Sequence, residues 1–302
     1  MGERIGFIGL GNMGGRMTRR LAEAGHTVLG YDPVPERSAE AGARAAASVA
    51  EVMAGSDHVL LSLPNSSVIE RVVLDPGGVL ESGRAGQIVV DLSTAAPSSS
   101  IRLHAALAER RIEFLDAGVS GGAAAAEKGA LTVMVGGSAQ ALATLDRVFA
   151  AIAEKVVHMG GSGAGHTTKV LNNFLNAVSL SATAEVMLAA KKADLDLSLV
   201  LDVINASSGV NFATRNRFPR IVRGDYLEGG LTSSLMTKDI ALYVDCLHEL
   251  GVPSLAASGP LAAFGLANSL GYAEQISNRV VDALGDVAGG VRLHDGGTGD
   301  PR

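Results

Sequence analysis

The chain has 302 residues, room for one large domain or two of ordinary size, and 47% of them are hydrophobic against 19% charged, enough for a buried core. A formal net charge of -6 argues against nucleic acid, whose binding rests on basic contacts to phosphate. The single cysteine, Cys246, excludes an intrachain disulfide and favours a reducing, cytoplasmic setting.

Strands and helices alternate through the first half. "RIGFIGL" is apolar and β-branched and reads as a strand; its short apolar start runs into a folded-domain motif, unlike a secretion signal. "NMGGRMTRRLAEAG" has helical spacing and a glycine stop, and "HTVLGYD" is the next strand. "PERSAEAGA" and "AASVAEVMAGS" are short helices, and "HVLLSLP" is a strand ending at Pro64. "QIVVDLST", "EFLDAGV", "LTVMVGG" and "KVVHMGG" continue the strand series. The alternation predicts an α/β domain whose mostly parallel sheet is covered on both faces. Near Gly160 the pattern changes. "GGSGAG" reads as a flexible turn, and helical periodicity then runs from His166 to about Leu284. The apolar stretch 174–190 contains Asn176, Glu185 and several hydroxyls, so it reads as a buried core helix and not a membrane span. The expected domains are residues 1–162, α/β; residues 163–288, all-helical; and a glycine-rich, polar, disordered tail, 289–302.

Gly9, Gly11 and Gly14 fall at the spacing G-x-G-x-x-G, after one strand and before a helix. Asp32 ends the next strand about twenty residues on, as a dinucleotide-binding turn requires. Gly9 permits the turn, Gly11 the close approach of a pyrophosphate, and Gly14 the packing of helix on strand, while the helix N-terminus offers N–H groups to the anion. The expected coenzyme contacts therefore include Gly9, Leu10, Gly11, Asn12, Met13, Gly14 and Asp32. A carboxylate at 32 favours NAD by repelling a 2′-phosphate; Arg37 nearby reads as a solvated charge, and NADP stays open. Leu63, Pro64, Asn65 and Thr94 follow strand ends, where open α/β sheets bind ligands.

In "DAGVSGG", Ser120 stands beside the backbone N–H groups of Gly121 and Gly122, either a carboxylate-binding loop or an ordinary one. In "GSGAGHTTKVLNNFLNA", Lys169 and Asn173 are four apart and share a helical face. A lysine among apolar residues is open to a depressed pKa and proton transfer; the bland alternative is a snorkelling stem with asparagines bonded locally. Lys238 and Asp239 are adjacent charges on an apolar helix, and read blandly as an exposed patch. His158 and His166 lack partners at ligand spacing, so no metal is expected.

Taken together, "FIGLGNMG", "DLST", "VSGG", "GAGHTTKVLNN" and the later "KD" resemble, in order, the motifs of the β-hydroxyacid dehydrogenase family, which includes 3-hydroxyisobutyrate dehydrogenase and tartronate semialdehyde reductase. The resemblance covers roughly residues 4 to 285. It implies an N-terminal Rossmann domain, a helical C-terminal domain and an active site between them. It further implies Lys169 as acid/base, Asn173 positioning the substrate, Ser120, Gly121 and Gly122 on the substrate carboxylate, and Thr94 and Lys238 near the coenzyme. The implied reaction moves a hydride between NAD and a small 3-hydroxy acid or its semialdehyde, in a homodimer or homotetramer. An NADPH-preferring semialdehyde reductase, an imine reductase, a sugar-acid dehydrogenase and a non-catalytic NAD-binding sensor are the alternatives. Lys169 argues against imine reduction, and Asn172 against a decarboxylating sugar-phosphate enzyme. Two departures stand out: Gly118 replaces a frequent proline and is expected to loosen its loop, and Arg215, Arg217 and Arg220 occupy a segment where one of them is open to recruiting a second anionic group.

Overall fold

A computed structural model describes residues 2–294, and the chain divides into two compact units, Met1–Val170 and Leu171–Arg302. In the first unit, the strands are β1 (Arg4–Ile8), β2 (Thr27–Tyr31), β3 (Arg44–Ala45), β4 (His58–Leu61), β5 (Ile88–Asp91), β6 (Glu113–Ser120), β7 (Leu131–Gly136) and β8 (Ala153–Gly160). They form one sheet in the order β3-β2-β1-β4-β5-β6-β7-β8. All neighbours pair parallel except β6 and β7, which are antiparallel.

Side chains alternate across the sheet as its pleat requires. Ile5, Phe7, Val90 and Leu115 face one apolar layer with Met17, Leu21 and Phe149. Ile8, Val89 and Phe114 face the other with Val52, Ile69 and Leu103. In the absence of tryptophan, Phe7 and Phe114 are the largest fully buried side chains of this unit, each contributing about 1.5–3 kcal/mol.

The second unit is helical. The Ala164–Lys192 helix runs into it from the first, and its Phe174, Ala177, Leu180, Ala184 and Met187 enter one core with residues of the Ser233–Glu249, Ser258–Ala267 and Val280–Val287 helices. Outside the sheet, the described residues hold a lone antiparallel bridge, Thr232 to Ile276. Residues 289–294 correct the expected disordered tail. Gly289 and Gly290 take positive φ, 91° and 79°, and turn the chain back; Leu293 is then buried in the helical core. The glycines supply a turn here, not disorder. The rest of that expected tail, 295–302, lies outside the described residues.

Candidate active site

The parallel strands β1, β2, β4 and β5 end at one edge of the sheet, and their loops are tied together. Gly9 N–H donates to Tyr31 O (2.9 Å), Ser62 N–H to Ile8 O (2.9 Å) and Leu92 N–H to Leu61 O (2.8 Å). Leu63 N–H donates to Ser93 Oγ (2.8 Å), and Ser93 N–H to Asp91 Oδ1 (3.0 Å). This edge gathers Gly9 through Gly14, Asp32, Leu63, Pro64, Asn65 and Thr94.

The three glycines have separable reasons. Gly9 has φ of 91°, and a Cβ there would meet Ser62 O at 2.3 Å. A Cβ on Gly14, the first residue of the Gly14–Glu23 helix, would lie 1.9 Å from Gly9 O. A Cβ on Gly11 would meet nothing within 4 Å, so the backbone there faces open space. The helix start carries no side-chain cap and no acidic residue in its first turn, which suits an anion. Asp32 is buried at the end of β2 and accepts from Leu10 N–H (2.8 Å) and Val34 N–H (2.9 Å). Arg37 is not simply a solvated charge: its Nη1 donates to Asp32 Oδ1 at 3.1 Å. Asn65 caps the Ser66–Leu74 helix, its Oδ1 accepting from Val68 N–H at 3.0 Å.

One face of β6 carries the next group, because residues two apart on a strand point the same way. Asp116, Gly118 and Ser120 share that face. The buried Asp116 carboxylate accepts Gly163 N–H (2.7 Å) and His166 N–H (2.8 Å), stapling the start of the Ala164–Lys192 helix to the sheet. A Cβ on Gly165 would meet Asp116 O at 2.2 Å and Met134 O at 2.5 Å. The expected flexible "GGSGAG" therefore ends in a close-packed approach of helix to strand. Three residues past His166, Lys169 is 8% exposed. A Cβ on Gly118 would lie 2.4 Å from Lys169 Cβ. Gly118 thus lies within a paired strand opposite Met134, and its bare backbone seats the lysine stem where a loosened loop was expected. Beneath, His166 Nδ1 and Ser100 Oγ are 2.7 Å apart, and burial pushes the Asp91 carboxyl above its usual range against the opposing pull of His166. Beyond Ser120, Gly121 and Gly122 take φ of 127° and 68° at the exposed start of a short helix.

In the second unit, Asn173 is buried and its Nδ2 donates to Asp239 Oδ2 at 2.5 Å. Asp239, expected on an exposed patch, is 2% exposed. Lys238 Nζ lies 3.1 Å from Asp239 Oδ1, a charge contact without hydrogen-bond alignment. Lys238 and Asn173 are therefore joined through a carboxylate to which the sequence reading gave no role. Asp116 was likewise missed as the support of Lys169. In both cases the partner is far along the chain, and no local pattern announces it.

The sequence compares with known proteins along almost its whole length. Residues 4–161 match the model of the NAD binding domain of 6-phosphogluconate dehydrogenase, and residues 163–281 that of the NAD-binding region of NADP-dependent 3-hydroxyisobutyrate dehydrogenase. An NAD-dependent L-serine dehydrogenase of Pseudomonas aeruginosa is 37% identical over 283 residues, 90% of this chain and 95% of that protein. A 2-(hydroxymethyl)glutarate dehydrogenase of Eubacterium barkeri is 35% identical over 253 residues, 83% and 84%. Among solved structures, Mycobacterium tuberculosis 3-hydroxyisobutyrate dehydrogenase with L-serine superposes with a TM-score of 0.86 at 31% identity, over 94% of this chain and 99% of that one.

Proposed function

The chain belongs to the β-hydroxyacid dehydrogenase family and is an NAD(P)-dependent enzyme of small hydroxy acids and the matching aldehydes; from that premise we propose that it interconverts a 3-hydroxy acid and its semialdehyde with Lys169 as acid and base. The observation that carries this reading is the seating of Lys169: an ammonium stem fixed against Gly118, on the strand face that also bears Ser120.

The sheet edge fits a dinucleotide. Gly11 leaves the backbone bare, the uncapped helix start would offer its N–H groups to a pyrophosphate, and Asp32 would take the ribose. Leu63, Pro64, Asn65, Thr94 and Lys238 would complete the contacts. When bound, the coenzyme accepts or returns the hydride. Ser120 and the amides of Gly121 and Gly122 hold the substrate carboxylate. Lys169 takes the hydroxyl proton in oxidation and returns it in reduction, and Asn173, steadied by Asp239, orients the reacting hydroxyl. Orientation of this kind supplies much of a rate enhancement. NAD is the expected coenzyme because Asp32 repels a 2′-phosphate. The 3.1 Å contact of Arg37 with Asp32 partly neutralises that repulsion and favours NADP as the second reading. The substrates named for the relatives, L-serine, 3-hydroxyisobutyrate and 2-(hydroxymethyl)glutarate, all carry the β-placed hydroxyl this arrangement needs.

Leu175 and Val186, 68% and 49% exposed on the long helix, support a homodimer or homotetramer. Among the described residues no helix is long and apolar enough to cross a membrane. The lone buried thiol of Cys246 suits the cytosol.

The test is a panel of 3-hydroxy acids and semialdehydes with NAD and NADP in parallel, repeated with Lys169→Ala. That variant should lose about 10²–10⁴-fold in kcat while holding NADH as tightly as the wild type by fluorescence titration. Turnover undiminished in Lys169→Ala would overturn the assignment.

A further inference from the structure

Arg217 stands in the break between two short helices, Phe212–Asn216 and Phe218–Ile221. Its neighbours in sequence behave as surface charges: Arg215 is exposed, and Arg220 is exposed and paired with Asp225. Arg217 is different. It is partly buried, and among the described residues its hydrogen bonds go to neutral carboxamides, Nη2 to Asn176 Oδ1 and Nη1 to Asn278 Oδ1, both 2.9 Å. Its guanidinium carbon lies 5.6 Å from the Phe212 ring centre. Every other arginine among the described residues is either exposed or paired with a carboxylate. Burial without a counter-charge pushes the Arg217 guanidinium down to about 10.

A partly buried cation that meets amides and a ring but no carboxylate among the described residues is a costly feature for a fold to keep for packing alone. A guanidinium has five N–H groups in a planar fork, and two are committed here. The remainder, with the Asn176 amide, form a cluster of donors that faces no carboxylate among the described residues. Its placement along the long helix is informative. Lys169, Asn173 and Asn176 rise from one helical face, four and then three residues apart. Seven residues of helix span about 10 Å, and the Arg217 side chain reaches this face at Asn176.

We propose that Arg217, steadied by Asn176 and Asn278, binds a second carboxylate of the substrate, so that the preferred 3-hydroxy acids are dicarboxylic. The inference rests on the placing of the reacting hydroxyl at Lys169 and Asn173. The planar fork suits a carboxylate, which it grips through two parallel bonds. A structural strut from Asn176 to Asn278 would make the opposite prediction, since its loss would weaken every substrate alike.

The experiment compares two 3-hydroxypropanoates substituted at C2, one with a carboxyethyl arm and one with a propyl arm, by initial rates with NAD. Wild type should favour the carboxyethyl acid by about 10–100-fold in kcat/KM, the value of a charge-assisted pair. Arg217→Gln should abolish that preference through KM, with the propyl acid unaffected, and Arg217→Lys should retain part of it. No preference in the wild type, or equal losses on both acids in the variants, overturns the proposal. If neither acid is turned over by any form, the function proposed above fails, and calorimetric titration of glutarate into wild type and Arg217→Gln decides the anion site by itself. Binding by the wild type alone supports it; any other pattern overturns it.

Discussion

Two buried carboxylates set the positions of the side chains assigned to chemistry. Asp116 holds the helix start that carries Lys169, and Asp239 holds Asn173. A third residue, His58, shows how burial is felt in stability. It opens β4, with Nε2 3.6 Å from Glu3 Oε2. Burial lowers its pKa from 6.5, the Glu3 charge only partly opposing the shift. The folded chain therefore resists protonating His58, while the unfolded chain does not. The stability His58 contributes is complete above pH 6.5 and is lost as pH falls through the depressed value. Thermal melts from pH 7.5 to 5.5 should fall more gently in His58→Gln than in wild type; parallel curves would refute this. None of these three environments was readable in the sequence. Asp239 looked like an exposed charge because its partner lies 66 residues away. Gly9, Gly14 and Asp32, by contrast, were legible because turn, helix start and strand end are local and each constrains its residue type.

The elements were legible in proportion to their length and periodicity. Strands rich in Val, Ile and Leu, such as "HVLLSLP", declare themselves. The two-residue β3, Arg44–Ala45, has no such signal and exists only by pairing with β2. The reversal of β7 was hidden for another reason. Only residues 121–130 join β6 to β7, short of the dozen or more that a parallel crossover takes, so the chain must double back. The junction of β1 with the Gly14–Glu23 helix is the least forgiving element boundary. Gly14→Ala sets a methyl 1.9 Å from a backbone carbonyl, which no side-chain rotation relieves. Overpacking of this kind costs about 1–3 kcal/mol. The variant should melt several degrees lower and bind NADH at least tenfold more weakly in fluorescence titration, since a 1.4 kcal/mol loss is about that factor. Retention of full NADH affinity would show that the turn is not the coenzyme's seat.

Across the whole molecule, the chain's character changes from strand-bearing to strand-free near Gly160, and the sequence announces this because alternation stops and helical spacing takes over. What it leaves unannounced is which apolar residues remain outside. The long helix buries Ala177, Leu180 and Ala184 yet exposes Leu171, Leu175 and Val186, and periodicity cannot tell one covered face from the other. If copies of the chain associate through that second face, Leu175→Asp should shift light-scattering mass toward the monomer. An unchanged mass would move the interface elsewhere. With a net charge of -6, such copies repel at long range, so the association should strengthen as salt screens them.

The bare backbone at Gly118 also bears on how this enzyme is improved. The family resemblance read from the sequence sets a frequent proline ahead of "VSGG", so Gly118→Pro is the substitution it would suggest for stiffening this strand. In this chain any such ring begins with a carbon placed 2.4 Å from the lysine's own first side-chain carbon. Gly118→Pro would thus wedge apart strand and helix under the amine of Lys169, and a stabilised version of the chain should keep this glycine.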